Sequence, residues 1–283
     1  MRVLVIGASS MLGSDLLREW PEDELIPATR RDADLCDPAQ VRSLISIHRP
    51  DWVVLAAAFS DVDGSERTPE AAYAVNEGGT ANVAKSAEQS GARVLYISTD
   101  YVFDGNSSRP YEPDDAISPL GVYGDSKAKG EAALRTYSSQ WCIVRTAWLF
   151  GAHGISFPEK ILNAAKSHLE LKVVSDQIGS PTYTRDLAAA IRTLVKGDTR
   201  GILNATNAGS CSWFQFAEEI LKQAGLSNLI HPISTAESAR LAKRPAYSAL
   251  SPASLNSRGV FLRSWQAALP DYLQELREFG RLV

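Results

Sequence analysis

The chain has 283 residues, and 29 Lys plus Arg against 33 Asp plus Glu leave a formal net charge of −4. That balance excludes the basic excess of a protein that tracks nucleic-acid phosphates or an acidic membrane surface. Hydrophobic residues at 45% and charged residues at 22% exclude a disordered chain, and at ~150 residues per domain the length fits one large domain or two closely joined ones.

The three cysteines, Cys36, Cys142 and Cys211, are odd in number and widely spaced, and no Cys or His pair has zinc-ligand spacing. Reduced thiols and no metal site are expected. The opening run Val3-Leu4-Val5-Ile6 is shorter than a signal-peptide core, and the apolar stretch 52–59 falls far short of the ~20 residues a bilayer requires. A cytoplasmic protein without nucleic-acid or membrane partners is expected; the sequence leaves a homodimer open.

From the N-terminus, strand-length apolar runs alternate with amphipathic stretches: 2–6 then 11–19, 51–58 then 69–90, followed by 93–97 and 141–146. That rhythm predicts βαβ units on a parallel sheet. Val3 to Ile6, Trp52 to Leu55 and Arg93 to Ile97 are apolar on both faces, as strands covered by helices on both sides must be. Residues 70–90 place Ala71, Ala74, Val75, Gly78, Val83, Ala84 and Ala87 at roughly helical spacing, which predicts a helix there. A shorter one is expected over 126–137. Residues 103–124 are rich in Gly, Pro, Asn, Asp and Ser and read as a loop of a length that is usually functional or mobile. Beyond Gly151 the rhythm fades, although 161–165, 186–195 and 214–224 still read as helices. The expected architecture is α/β: a Rossmann-type doubly wound parallel sheet over 1–150, rejoined by strand and helix around 171–196, with 151–283 mainly a smaller C-terminal substrate-binding region.

The first strand runs into Gly7-Ala8-Ser9-Ser10-Met11-Leu12-Gly13 and a helix from about Met11. Glycines let the backbone approach a pyrophosphate, whose charge meets the positive helix N-terminus. Gly7, Ser10, Met11, Leu12 and Gly13 are therefore candidate cofactor contacts, against a tight turn with no ligand. Ser10 takes the middle glycine's place and adds a side chain that a cofactor must tolerate or use. At the end of the strand expected over 24–29, Arg30 and Arg31 stand where an NAD-preferring fold has an acid. Arginines there can pair with a 2′-phosphate and favour NADPH, with NADH the second choice; two solvated cations are the equal alternative. Asp37 before Pro38 reads as a helix cap, which leaves Asp34, with Leu35 beside it, as candidate cofactor contacts near an adenine.

Tyr123 and Lys127 lie at i and i+4 where a loop enters a helix, so they share a face. A nearby ammonium favours phenolate and lowers a tyrosine's pKa toward a value useful for proton transfer. Ser98-Thr99-Asp100 sits at the carboxyl end of an apolar strand, where open α/β sheets bind their ligands. Hydroxyl, tyrosine and lysine are expected to converge there. The four histidines, His48, His153, His168 and His231, lie singly and carry no expected chemistry.

The phosphate turn, Tyr123-x-x-x-Lys127 and Ser98-Thr99 resemble an extended short-chain dehydrogenase/reductase. More narrowly, Ser98-Thr99-Asp100-Tyr101-Val102-Phe103-Asp104-Gly105, Arg145-Thr146-Ala147-Trp148, Asp176-Gln177-x-Gly179-x-Pro181-Thr182 and Arg244-Pro245-x-x-Ser248-x-Leu250 resemble the dTDP-4-dehydrorhamnose reductase family. These motifs span nearly the whole chain. The resemblance implies NADPH-dependent reduction of the 4-keto group of a dTDP-6-deoxyhexose to dTDP-L-rhamnose, for cell-surface polysaccharide. It implies Tyr123 as general acid and Lys127 on the nicotinamide ribose. Thr99 would bond the carbonyl, with Asp100 beside it. Trp148, Arg244 and Ser248 would border the substrate, and Arg244 would offset phosphate charge. Ala56, Ala57 and Ala58 would be the strand end against the cofactor, and Asn76 the family's helix asparagine. Two positions depart from the pattern: Ser10 replaces a glycine and Leu55 an asparagine.

Two other readings remain open: a reductase or epimerase of another nucleotide sugar, and a non-catalytic module resembling the regulatory beta subunit of methionine adenosyltransferase. Intact Thr99, Tyr123 and Lys127 favour catalysis, since fold alone does not choose.

Overall fold

The computed structural model describes residues 1–282. Five apolar runs form β1 (Arg2–Ile6), β2 (Glu24–Ala28), β3 (Trp52–Leu55), β4 (Arg93–Thr99) and β5 (Trp141–Thr146). With the strand Gly201–Asn204 they make one six-stranded sheet, in the order 201–204, β5, β4, β3, β1, β2, every pair parallel.

Side chains alternate across each strand, so both faces need cover. Val3, Val5, Trp52, Val54, Leu95 and Val144 pack on one face with α1 (Met11–Glu19) and the helix Thr184–Lys196. Leu4, Ile6, Val53, Leu55, Val94 and Ile143 pack on the other with α2 (Pro38–His48) and with Val83, Ala84, Ala87 and Leu134 of later helices. The doubly wound expectation is met. Its strand order reverses between β1 and β3, and such a switch point opens a crevice at the strands' carboxyl ends.

The segment expected as one helix over 70–90 is built in three pieces. After α3 (Val62–Arg67), α4 (Pro69–Tyr73) runs into a π-helical turn, Ala74–Gly79, and then into α5 (Thr80–Ser90). The π turn carries Asn76, 2% exposed, whose side chain bonds Phe59 N–H and C=O and donates to Ser126 Oγ at 2.9 Å. Holding those three partners explains the extra residue in the turn. The helix expected from 126 begins four residues earlier, as α6 (Val122–Tyr137), because Glu66 Oε1 accepts the Val122 N–H at 2.9 Å and so caps its start.

The segment 103–121 is an anchored strap. Tyr111 N–H donates to Ala249 C=O at 2.8 Å, Asn204 Nδ2 to Tyr111 C=O at 2.7 Å, and Arg145 Nη1 to Pro113 C=O at 2.9 Å. Beyond Gly151, helices Phe157–Ser167, Trp213–Gln223 and Trp265–Glu278 enclose a second core around Phe150, Tyr183, Phe216 and Tyr272. The return to the sheet expected around 171–196 differs in detail. Helix 184–196 does cover the sheet, but the returning strand is Gly201–Asn204, while Glu170–Val174 pairs in parallel with Leu229–Ile233. Glu170–Val174 buries only alternate side chains, Leu171 and Val173, and so cannot serve inside a sheet covered on both faces.

One buried ion pair ties sheet, helix and strap together. Arg145, 1% exposed, donates to both oxygens of Glu131 at 2.9 and 2.7 Å, and Ser98 Oγ donates to the same carboxylate at 2.6 Å. Removing one partner strands the other charge. Arg145→Met is therefore expected to cost about 3 to 5 kcal/mol in urea unfolding, and Glu131→Gln in addition is expected to cost much less than the two single losses combined. Additive losses would mean the pair is not coupled.

Candidate active site

The turn after β1 is a backbone cradle. Gly7 has φ +97°, and a Cβ there would come within 2.5 Å of Ala57 N; a Cβ on Gly13 would come within 2.1 Å of Gly7 O. The expected strand end Ala56-Ala57 bonds back to β1, both N–H groups donating to Ile6 C=O at 2.9 and 3.0 Å. Ala58 follows, half-buried. The N–H groups of Met11 and Leu12 at the start of α1 find no acceptor among the described residues. Such donors at a positive helix end suit a phosphate, so the residues present fit a dinucleotide.

The side chains at this turn differ from expectation. Ser10 Oγ turns back to accept the Gly13 N–H at 3.0 Å, so it is the N-cap of α1 and keeps its own O–H as a donor. Met11 packs toward Gly151 and Gly154, and Leu12 lies in the core, leaving only their backbone for a phosphate. At the end of β2, the Arg30 side chain is 90% exposed and forms a loose ion pair with Asp34 Oδ2 at 3.8 Å, and Arg31 is exposed. Asp32 closes the turn by accepting both the N–H and Oγ1 of Thr29 at 2.8 Å. Asp34 Oδ1 accepts the Cys36 N–H, while Leu35 points into the core against Gly79. Leu35 can offer a ligand only its backbone.

The catalytic candidates do converge. Thr99 Oγ1 donates to Asp100 Oδ1 at 3.0 Å and accepts the Tyr101 N–H at 3.2 Å. Tyr101 crosses Tyr123 edge-on with ring centroids 5.7 Å apart. Desolvation pushes the Tyr123 hydroxyl up to about 12, partly offset by the neighbouring Thr99 hydroxyl, so at neutral pH it holds its proton. The expected lowering by Lys127 is absent from this arrangement. The Lys127 ammonium is drawn to Ile97 C=O at 2.6 Å and lies 3.9 Å from the Tyr96 ring centroid; burial brings its pKa down to about 7, opposed by Glu131. Asp100, 2% exposed, is raised to about 7 by burial, opposed by its bonds to Ser248 and Thr99.

On the far side, Trp148 has a left-handed φ of 46° and stacks on Trp213 at 3.4 Å, with Gly179 directly beneath the ring. A bulky residue held at positive φ is a strained position that the fold maintains. Arg244 is not the free cation expected, because it pairs with Asp63 Oδ2 at 3.1 Å and donates to Ala242 C=O. Ser248 likewise does not face a ligand: it is 2% exposed and its Oγ donates to Asp100 Oδ2 at 2.5 Å. A cleft beside Tyr123 is lined by Tyr101, Leu120, Gly121, Ala242 and Pro245.

Residues 1–278 match the family model described as RmlD substrate binding domain. The chain is 41% identical over 276 residues to the spore coat polysaccharide biosynthesis protein SpsK of Bacillus subtilis, covering 97% of each. It is 38% identical to a dTDP-4-dehydrorhamnose reductase of Mycobacterium tuberculosis, covering 95% of this chain and 91% of that one. A crystal structure of dTDP-4-dehydrorhamnose reductase from Bacillus anthracis in complex with NADP superposes with TM-score 0.94 at 35% identity, covering 97% and 99%. The chain belongs to the RmlD family.

Within this RmlD-family fold, several residues that shape the site went unseen in the sequence. Asp63 fixes Arg244, Glu66 starts α6, Glu131 backs Lys127 and Trp213 supports Trp148. Asp63, Glu66 and Trp213 act through contacts between distant segments, and only Glu131, one turn beyond Lys127, had a local signal. The buried Asp100 has a testable signature. Its folded-state pKa is raised above the ordinary 3.8 to about 7, so its favourable share of stability is full below about pH 4 and is lost as pH rises through 7. Thermal melts should show wild type losing a few kcal/mol relative to Asp100→Asn between pH 5 and pH 8. A pH-independent difference would contradict this environment.

Proposed function

We propose that this chain reduces the 4-keto group of dTDP-4-dehydro-6-deoxy-L-mannose to dTDP-L-rhamnose with NADPH. The observation that carries the reading is the Tyr123–Thr99–Asp100 cluster at the carboxyl end of β4, with Lys127 one turn along α6 and the glycine cradle of β1 on the same sheet edge. The reductase name of relatives over nearly the whole length supports it, as does the NADP complex of a relative.

Bound NADPH supplies the hydride. The backbone of Gly7 and the N–H groups of Met11 and Leu12 hold the pyrophosphate, Arg30 and Arg31 meet the 2′-phosphate, and Lys127 takes the ribose of the nicotinamide. Tyr123, a phenol at neutral pH, gives its proton to the C4 oxygen, while Thr99 bonds that oxygen and orients it. An acid placed at the reacting atom is worth ~10²- to 10⁴-fold in rate. The stacked Trp148 covers the apolar side of the deoxysugar. Arg244, already paired with Asp63, fastens the substrate-side segment to α3.

In this reading residues 1–150 mainly bind cofactor and 151–283 mainly bind substrate. The enzyme is cytoplasmic and takes a free nucleotide sugar, with no nucleic-acid or membrane partner.

The test is NADPH oxidation with dTDP-4-dehydro-6-deoxy-L-mannose made in situ, run beside the unepimerised 4-keto sugar. Turnover is expected with the first, and Tyr123→Phe should lose about 10²- to 10⁴-fold in kcat while keeping cofactor affinity. Absence of turnover together with co-purification of a partner enzyme would favour the regulatory-subunit reading. Titration of both cofactors tests the arginines: replacing Arg30 and Arg31 with Ala should weaken NADPH about tenfold to a hundredfold and leave NADH unchanged. Equal wild-type affinity for the two cofactors would refute that assignment.

A further inference from the structure

Lys127 is 2% exposed, and an ammonium taken out of water tends to give up its proton unless something nearby favours the charge. The acid one turn along its helix, Glu131, is already bound by Arg145 and Ser98. Two partners remain. Ile97 C=O accepts from Nζ at 2.6 Å, and Nζ lies 3.9 Å from the centroid of the Tyr96 ring. The face of an aromatic ring carries partial negative charge and attracts a cation most strongly where water is excluded, and Tyr96 is 0% exposed.

The fold holds that ring in place. Tyr96 stands on β4 in the core with Val83, Ala84 and Leu134, and a Cβ on Gly130 would come within 2.5 Å of its hydroxyl. The glycine three residues beyond Lys127 thus lets the ring lie under α6. The Tyr96 hydroxyl has no hydrogen-bond partner among the described residues, so what the tyrosine supplies here is its ring. An aliphatic residue at 96 would suit a strand buried on both faces equally well, but it would offer the ammonium no negative face.

We infer that Tyr96 is a positioning residue whose ring face holds the Lys127 ammonium, keeping it charged and fixed against the end of β4. The ribose contact that this charge serves rests on the reductase reading above. An ammonium has three donors. With one on Ile97 C=O and one over the ring, one is left for a ribose hydroxyl.

The groups packed around α6 leave the task to the ring. Glu131 is the one charge that acts on Lys127 through space. Tyr123, one turn before, is a neutral phenol at pH 7. In the π turn Asn76 is spent on Phe59 and Ser126, and Thr80 of α5 on Asn76 C=O. Asp100 bonds Thr99 and Ser248, and Glu66 of α3 holds the Val122 N–H. Burial brings the Lys127 pKa down to about 7, so its charge is poised near neutral pH and losing the ring should tip it.

Cofactor binding across pH reads this without turnover. Wild type, Tyr96→Phe, Tyr96→Leu and enzyme with pentafluorophenylalanine at position 96 are titrated with NADP⁺ between pH 5 and pH 9. The 2′-phosphate titrates alike for all four. Wild-type affinity should fall as pH rises through about 7, where Lys127 loses its proton. Tyr96→Phe keeps the face and should stay within about twofold of wild type at every pH. Tyr96→Leu loses it, so the fall should move about one pH unit lower, leaving affinity about tenfold weaker at pH 7.5 and close to wild type at pH 5. The fluorinated ring keeps the shape but reverses the charge of the face, so it should follow the leucine profile even if Tyr96→Leu misfolds. A fluorinated variant with the Tyr96→Phe profile, or a leucine variant weaker by one factor at every pH, would overturn the inference. Wild type that binds NADP⁺ yet never reduces the keto-sugar would sink the reductase reading and leave this series standing; wild type that binds no NADP⁺ would sink both.

Discussion

A parallel sheet brings all its strand ends to one edge, but it does not by itself fix how a helix and a loop meet that edge. Here the buried Arg145–Glu131 pair does so. Arg145 comes from β5, Glu131 from α6 and Ser98 from β4, and Pro113 C=O brings in the strap, so four segments are set by one guanidinium–carboxylate fork. Desolvating two charges is costly, and such a pair is tolerated where every donor and acceptor is met. Tyr123 and Lys127 ride on α6 two turns and one turn before Glu131, so their aim at β4 depends on this fork.

The same economy of contacts joins the later part of the chain to the site. Ser248 and Arg244 do not point at open space; they bond to Asp100 and Asp63, which lie at the end of β4 and on α3. The segment 234–250 is thereby fastened to the end of β4 and to α3, and its Tyr247 and Leu250 pack with Val102, Phe103, Tyr111 and Ala147. Proton holding and segment docking thus meet at Asp100.

Much of this was legible in the sequence for a physical reason. Strands buried on both faces must be apolar throughout, so β1, β3 and β4 could be read directly, and a glycine turn between an apolar strand and a helix has few uses. Tyr123, Thr99 and Lys127 were legible because i, i+4 spacing and a strand's end place side chains predictably. What failed depended on partners far along the chain. The capping of α1 by Ser10 went unread, and Arg244 looked like a free cation because Asp63, its partner, lies 181 residues away. The electrostatics of Lys127 were misjudged for a related reason. Spacing shows that it shares a face with Tyr123, but only the fold shows Ile97 C=O and the Tyr96 ring competing for its ammonium.

The central claim is that the crevice at the carboxyl edge of this sheet moves a hydride onto C4 of a nucleotide-linked 6-deoxyhexose. Isotope transfer tests it most directly. With NADPH carrying deuterium on both positions of nicotinamide C4 and the keto-sugar generated in place, the account predicts dTDP-L-rhamnose with one deuterium at sugar C4, read by proton NMR and mass spectrometry. Product without that deuterium, or deuterium at any other sugar carbon, would contradict it.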